Sequence, residues 1–528
     1  MADRPGPIKR AIRMMGGFVS SANPFGLFGV TPPGLEAAAV QGRLSFFQPN
    51  SVHLNTLMRR AGPNVLARAR HLVRNNCYAA AAVRSWESAT VGTGIKPISE
   101  IEDKTTRAAV NKAWYRWTDQ ADANGLAGTD FYGLQRTAAH EAFVAGECFL
   151  VMRTPDPEEG LEVPLQFELL PSEQLTMSQQ PAFVPPGVDN AGGRIRMGIE
   201  FDARFPNRRV AYWFNRSNPT DDTIAMRELI RANEVVRIPA ADVLHIFDPI
   251  EAGQIRGLTR FSPAIVKLFQ LDTWDDAELE RQRQQAVLTM TIETPAEMDP
   301  VTNLLQRTRP EPWMGEYVTP GTAVKLYGGE KLNLSQPPGV SGTYEAFQYR
   351  VILALAAALG IPYAEISADL NRTTYASSRA GLLAFRSAVE AFQHSVMVYK
   401  MLRPAWIRWM DTATLVGALP WSLADYAANP ERFRRMKGIT PRAAWVDPLK
   451  DVQALSIMID KKLIPLREAI AMNGNDFETV MDEIAEDTAV MDDLGIAQPL
   501  PGWGSRTGQV GQGTAATTVP TETDTAAA

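Results

Sequence analysis

The sequence predicts an α+β fold, and three observations carry that prediction. Helix-period apolar patterns come first, a group of short β-rich segments follows them, and from residue 262 long helical patterns return on both sides of a turn-rich insert. The 528 residues are 45% hydrophobic and 21% charged, a globular composition with apolar side chain for more than one core. At roughly 150 residues per domain, the length suggests about three to four units.

The stretch to residue 49 is rich in Gly, Pro and Ala and reads as an arm ordered only against a partner or the rest of the fold. From Asn64 to Trp86, Val65, Leu66, Ala69, Leu72, Val73, Ala80 and Val83 recur at helical spacing, with Arg68, Arg70, Arg74 and Arg84 on other faces. Helices are expected again over Thr105–Trp117 and Thr129–Val144, the second capped by Asp130. Strands are expected at Cys148–Met152, Leu165–Leu169, Met197–Phe201, Val210–Phe214 and Val243–Phe247, the third and fourth as a hairpin in a mostly antiparallel sheet.

Ser262 as N-cap and Pro263 at the first helical position open a helix that runs to Leu288 and turns polar in its second half. Residues 289–342 hold many turn-formers and one short strand, Ala323–Leu326, and read as a small separate module. Thr343–Leu359 is a helix stopped by Gly360 and Pro362. A polar loop, Ser367–Thr374, leads to a helix from Tyr375 to Met401, interrupted by Pro404 and resumed at Trp406. Asp447–Asn473 reads as two short helices, and Asn475 with Glu478 forms a capping-box start for an acidic helix to Leu494. Residues 498–528 lack the means to build a core and are expected to be disordered.

Composition also narrows function. Fifty-three Lys and Arg against 59 Asp and Glu leave a net charge of -6, whereas a protein that grips nucleic acid tightly is basic. Cys77, Cys148 and five histidines without a CxxC pair argue against a disulfide framework or a structural zinc site, and a reducing compartment follows. The longest apolar run, Val351–Leu359, is far short of the roughly 20 residues of a membrane span. Gly16, Gly17 and Ser20 interrupt the apolar part of a signal peptide after Arg4, Lys9, Arg10 and Arg13.

There is no GxxxxGK[ST] and no GxGxxG, so ATP-motor and dehydrogenase readings lose their support. Gly339–Gly342 is one residue short of a nucleophile elbow and reads as a cap. His140–Glu141 with Glu147 and Cys148, or His245 with Asp248, could assemble a metal site or an activated thiol; neither spacing is a recognised ligand pattern, and a structural role is the expectation. No catalytic residue, metal or cofactor is expected.

Several stretches together resemble the lambda-type family of bacteriophage portal proteins. They are Ala67–Pro97, Phe143–Glu147 before a strand, Ile238–Phe247, Gly253–Gly257, the long helix after them, Leu359–Tyr363 and the acidic C-terminal end, covering about residues 55–497 in family order. Thr259 departs from the family's proline, which bears on the local turn alone. The resemblance implies a homo-oligomeric ring of about twelve subunits at one capsid vertex. Double-stranded DNA would be packaged through it by a separate terminase large subunit and later ejected. Head-tail connector, major capsid and scaffold proteins are its further partners, with assembly in the bacterial cytoplasm and no membrane.

Carried onto this chain, the portal-type fold divides into an α+β wing (50–257 and 375–446) and a two-helix stem (258–288 and 343–361). A small α/β clip (289–342), a channel loop (362–374) and a helical crown (447–497) complete it. Arg372 and Arg379 are expected to make transient phosphate contacts, with pairing to local acids such as Asp369 as the competing role. Asn475–Leu494 carries eight acids and no Lys or Arg. Asp476, Glu478, Asp482, Glu483, Glu486 and Asp487 are the candidates for an acidic lumen that repels DNA, a solvated helix face being the alternative. Two other functions stay open: a different head-tail adaptor, and a metal- or thiol-dependent hydrolase that would lose activity on changing His140, Glu147 or Cys148.

Overall fold

The computed structural model describes residues 51–123, 128–156, 159–176, 186–221, 235–286, 290–293, 297–298, 305–306, 331–334, 343–372, 374–441 and 448–494. The arm to residue 49, the strand expected at Ala323–Leu326 and the tail from 498 lie outside them. The chain divides at Ala61/Gly62, and the packing described here belongs to the part from Gly62 onward.

The helix expected over Asn64–Trp86 is two helices, α1 (Leu54–Asn75) and α2 (Cys77–Thr90). Asn76 breaks them: its backbone is extended (φ -103°, ψ 126°), and its side chain accepts from the amides of Tyr78 and Ala79. An Asn side chain that caps a new helix competes with continuing the old one, which apolar periodicity does not register. Next come β1 (Lys96–Ser99), α3 (Lys104–Thr118, capped by Asp103) and α4 (Phe131–Val144, capped by Asp130).

Strands β2 (Glu147–Arg153), β3 (Gln166–Pro171), β4 (Arg194–Arg196), β5 (Ile199–Phe201), β6 (Arg209–Asn215), β7 (Val235–Pro239) and β8 (Val243–Phe247) form two antiparallel sheets. Their orders are β3-β2-β8 and β4-β5-β6-β7. In the first, Phe149 faces His245 and Leu150 faces Leu244; in the second, Ile199 faces Tyr212 across the expected hairpin.

Helix α5 (Ile265–Ala286) starts later than Ser262. Residues 259–264 are turns pinned to the core, with the Arg260 amide donating to Phe143 O (3.2 Å) and the Phe261 amide to Thr259 Oγ1 (3.1 Å). The Thr259 hydroxyl thus shapes this turn locally. Ile265, Leu268 and Leu271 are buried, Phe269 is exposed, and no described residue of α5 beyond Leu271 is buried.

After α5, β9 (Met290–Glu293) pairs with β12 (Lys331–Leu334), and β10 (Glu297–Met298) with β11 (Leu305–Gln306). Helix α6 (Thr343–Leu359) packs on α5, with Trp274 stacked on Tyr344 (4.9 Å) and edge-on to Phe347 (4.3 Å).

A short α7 (Tyr363–Ser367) leads to α8 (Tyr375–Phe392), capped by Thr374. Pro404 does not interrupt the helical run beyond α8. A ten-residue π-helical stretch, Gln393–Leu402, passes directly into α9 (Arg403–Leu415), with Pro404 in its first turn. The wider π turn relieves the ring-to-carbonyl clash that breaks an α-helix, and proline needs no amide bond there.

This helical run closes the core. Trp114 lies 5.1 Å from Trp406 and 5.2 Å from Trp409, Trp117 is 5.8 Å from Phe167, and Trp86 packs on Phe143 and Phe392. Such rings bury large areas and prefer these offset and edge-on arrangements. Gln393 donates to Thr90 O (2.7 Å) and Lys400 to Phe247 O (2.6 Å). Helices α10 (Leu423–Ala428) and α11 (Pro430–Arg434) precede β13 (Met436–Ile439), which pairs with β1 across more than three hundred residues of chain.

Last come α12 (Pro448–Asp460), α13 (Leu466–Met472) and α14 (Phe477–Asp493). The cap of α14 is Asp476, not Asn475: Asp476 Oδ2 accepts from the Thr479 amide (3.2 Å). Glu478 has been drawn off to Arg107 and does not complete a capping box.

Candidate functional site

Three of the stretches that carry the family resemblance converge on one buried carboxylate. Glu147 opens β2, His245 sits in β8, and Arg256 and Gly257 come from the turn after β8. Glu147 Oε1 accepts from Arg256 Nε (2.5 Å) and Ser172 Oγ (2.7 Å); Oε2 accepts from the Gly257 amide (2.7 Å) and His245 Nε2 (2.9 Å). All four lone-pair directions of the carboxylate are used. Arg209 donates to His245 Nδ1 (2.9 Å), so Nε2 carries the proton and the ring is neutral. Arg256 reaches on to Met197 O (3.0 Å) and Ser172 O (3.2 Å), linking the two sheets.

Burial opposes charge at Glu147, but Arg256, His245 and the Gly257 amide together carry its pKa down to about 2. Burial outweighs Glu147 at His245 and lowers that ring to about 4. The chain has to come very close for this. A Cβ on Gly257 would lie 2.1 Å from Gly146 O, and Gly146 itself has φ +89° with Leu258 backbone 2.2 Å from where a Cβ would stand. Glycine alone fits both positions. The junction holds turns and strands in register; Glu147, His245 and Arg256 are all buried, and Ser172 Oγ bonds the carboxylate, not the imidazole.

The hydrolase candidates are therefore dispersed. His140 Nδ1 is 2.6 Å from Glu87, Glu141 accepts from Arg70 (2.7 Å), and Asp248 accepts from Arg260 (3.0 Å). Cys148 is buried, and burial pushes its thiol well above the ordinary pKa, the opposite of an activated nucleophile. Among the described residues no three His, Cys, Asp or Glu side chains gather as a metal would require.

The two channel-loop candidates have partners in their own chain. Arg372 pairs with Glu345 of α6, lies 3.7 Å from Asp369 and stacks over Tyr349 at 4.8 Å. Arg379 reaches Asp451 (3.5 Å) and the Tyr375 hydroxyl (3.3 Å). The loop that carries Arg372 also presents Leu370, 71% exposed.

The six acidic candidates split in two. Asp476 caps α14, Glu478 pairs with Arg107 and Arg467, and Asp482 takes Lys104 at 2.8 Å. Glu483, Glu486 and Asp487 are exposed. Sequence reasoning did not single out Arg256, Ser172 or Arg209. Arg256 and Glu147 both lay inside stretches that matched the family, and their joint presence there was the available signal.

The most buried charges of this α+β protein tie its sheets to the turn after β8. Residues 41–393 match the family described as phage portal protein, lambda family, and the chain belongs to that family. Portal protein B of Escherichia phage lambda is 23% identical over 87% of this chain and 89% of its own length. The portal protein of Escherichia phage N15 is 24% identical over 82% and 85%. The probable portal protein of Halomonas phage phiHAP-1 is 28% identical, and this chain spans 58% of that relative's length. Among solved structures, a chain from the neck of a native GTA particle computed with C12 symmetry aligns with 79% of this chain and 93% of its own. The identity is 13% and the TM-score 0.45.

Proposed function

We propose that this portal protein works as a ring of about twelve copies at one vertex of a phage head. The ring is the conduit through which double-stranded DNA enters and leaves, and it catalyses nothing itself. The observation that carries this reading is the family match over 41–393, together with lambda and N15 portal relatives aligned over most of both chains. The terminase large subunit would dock on one end of the ring, and head-tail connectors would replace it after filling. Capsid and scaffold proteins would surround the ring in the virion, after assembly in the host cytoplasm.

The parts follow the chain. Helices α5 and α6 form the stem, and the paired strands between them belong to the clip that meets the motor. The sheets with α8, the π-helical stretch and α9 form the wing; residues 362–374 are the channel loop; α12 to α14 form the crown. DNA carries one charge per about 1.7 Å, so a conduit must avoid deep electrostatic wells. Surplus acid on α14 suits that need. So does a channel loop whose arginine is already paired with Glu345 and Asp369. Arg372 and Arg379 would touch phosphate only by exchanging these partners, which makes the contacts brief.

Light scattering on the purified chain, with negative-stain images of the same fraction, tests the ring: a particle of roughly twelve chain masses with an axial hole is expected. Replacing Arg372 and Arg379 with Ala should lower DNA retention with the ring intact. Unaltered packaging by that double variant would remove both residues from the mechanism.

A further inference from the structure

Helices α12, α13 and α14 bury almost nothing of their own chain. Across 448–494 the one buried residue is Ala469, and α12 and α14 have none. Helices of 13 and 17 residues with no fully buried side chain gain little from packing, and on their own such lengths are marginal in water. Each nevertheless carries exposed apolar side chains. Ile457 (57% exposed) lies near the end of α12 and Leu463 (71%) just past it, and Ile484 (44%) and Val490 (57%) lie on α14.

The two pairs sit in opposite charge. Lys461 and Lys462 are exposed beside the first, and neither forms an ion pair among the described residues. Glu483, Glu486 and Asp487 are exposed beside the second and, among the described residues, likewise have no cation of their own chain. The acids of α14 that face their own chain are already matched, Glu478 to Arg107 and Asp482 to Lys104. What is left over is a pair of lysines beside exposed apolar side chains at the end of α12, and a set of acids among exposed apolar side chains on α14.

We infer that these patches are the two sides of a single contact between copies: Lys461–Lys462 of one chain docks on Glu483, Glu486 and Asp487 of the next. The inference rests on the ring proposed for this protein and names a surface by which its members recognise each other. Opposite charges with apolar side chains among them favour such a contact, the charges setting its register. Each patch repels its own kind and attracts the other. A contact between unlike patches can repeat head to tail from copy to copy, and it closes a ring when its rotation allows, as the proposed ring requires. Asp492 and Asp493 stay outside this pairing and keep the helix acidic.

The test uses the full chain in three forms: Lys461→Glu with Lys462→Glu, Glu483→Lys with Glu486→Lys, and all four changes together. Each reversed patch alone should move the particle from the assembled mass to that of a single chain, with an unchanged circular dichroism spectrum. The fourfold variant should return to the assembled mass. A reversed variant that assembles like the unaltered chain overturns the inference and leaves the ring reading standing, as does a folded fourfold variant that stays single. If the unaltered chain never assembles, the ring reading fails, and cross-linking decides the contact separately. In a Cys77→Ser background, a Lys462→Cys chain mixed with a Glu486→Cys chain should join through a short bismaleimide, while neither chain joins itself. No mixed product overturns the contact.

Discussion

Around β2 every buried charge is surrounded by its partners, whereas the helices from 448 to 494 leave both charge and apolar surface open to water. Glu147 accepts four hydrogen bonds in the interior, and the aromatic groups about Trp86 and Trp114 are enclosed by helices from both ends of the chain. In α12–α14, Ala469 is the one buried side chain. The first region is satisfied within one chain; the second is the surface proposed to meet another copy. Substitutions should separate the two, because loss in the first is loss of folding and loss in the second is loss of assembly.

The largest effect is expected at the junction itself. Glu147→Gln leaves Arg256 charged and buried without its counter-ion, which should cost about 3–5 kcal/mol and lower the thermal midpoint steeply. A variant melting with the unaltered chain would show that the junction does not hold the sheets. Gly257→Ala should cost about 1–3 kcal/mol, since its Cβ would stand 2.1 Å from Gly146 O and backbone cannot step aside cheaply.

Acid should weaken the same region in two stages. The ring of His245 binds its proton at about 4 when folded against 6.5 when free, so the unfolded chain takes up protons first. Stability from His245 is complete above pH 6.5 and is lost as pH falls toward 4. Glu147 follows, its share complete above 4.5 and lost as pH falls toward 2. His245→Gln should flatten the first stage in a series of melts across pH; an unchanged slope would place the proton uptake elsewhere.

The smallest change in folding is expected on α14. Neutralising Glu483 and Glu486 with Gln should alter the melting of the single chain by no more than about 0.5 kcal/mol, while weakening assembly measured by light scattering. A large loss of folding there would erase the contrast between the two regions.

Much of the fold was legible in the residues. Asp130 before an apolar helix, the β-rich run Val210–Phe214 and the stop after Leu359 each correspond to an observed boundary within a few residues. What misled were positions where one side chain overrules a period. Asn76 ends a helix whose apolar spacing continues, Pro404 sits in a helix whose preceding turn is widened, and Asp476 caps α14 one residue beyond the expected Asn475. Strands β1 and β13 are four residues each and make sense only as a pair.

Periodicity and charge are local properties, so the α+β class and the surplus of acid near the C-terminal end could be read directly from the residues. The sequence also carried the family, because order along the chain survives divergence. Tertiary structure alone decided which charges are spent. Arg256, Ser172, His245 and Glu147 are far apart along the chain, and Arg372 and Glu345 belong to a loop and a helix. Whether an ionised side chain is a tie within the fold or a surface for another molecule depends on what the chain brings within about 3 Å of it, and that distance exists only once the chain has folded.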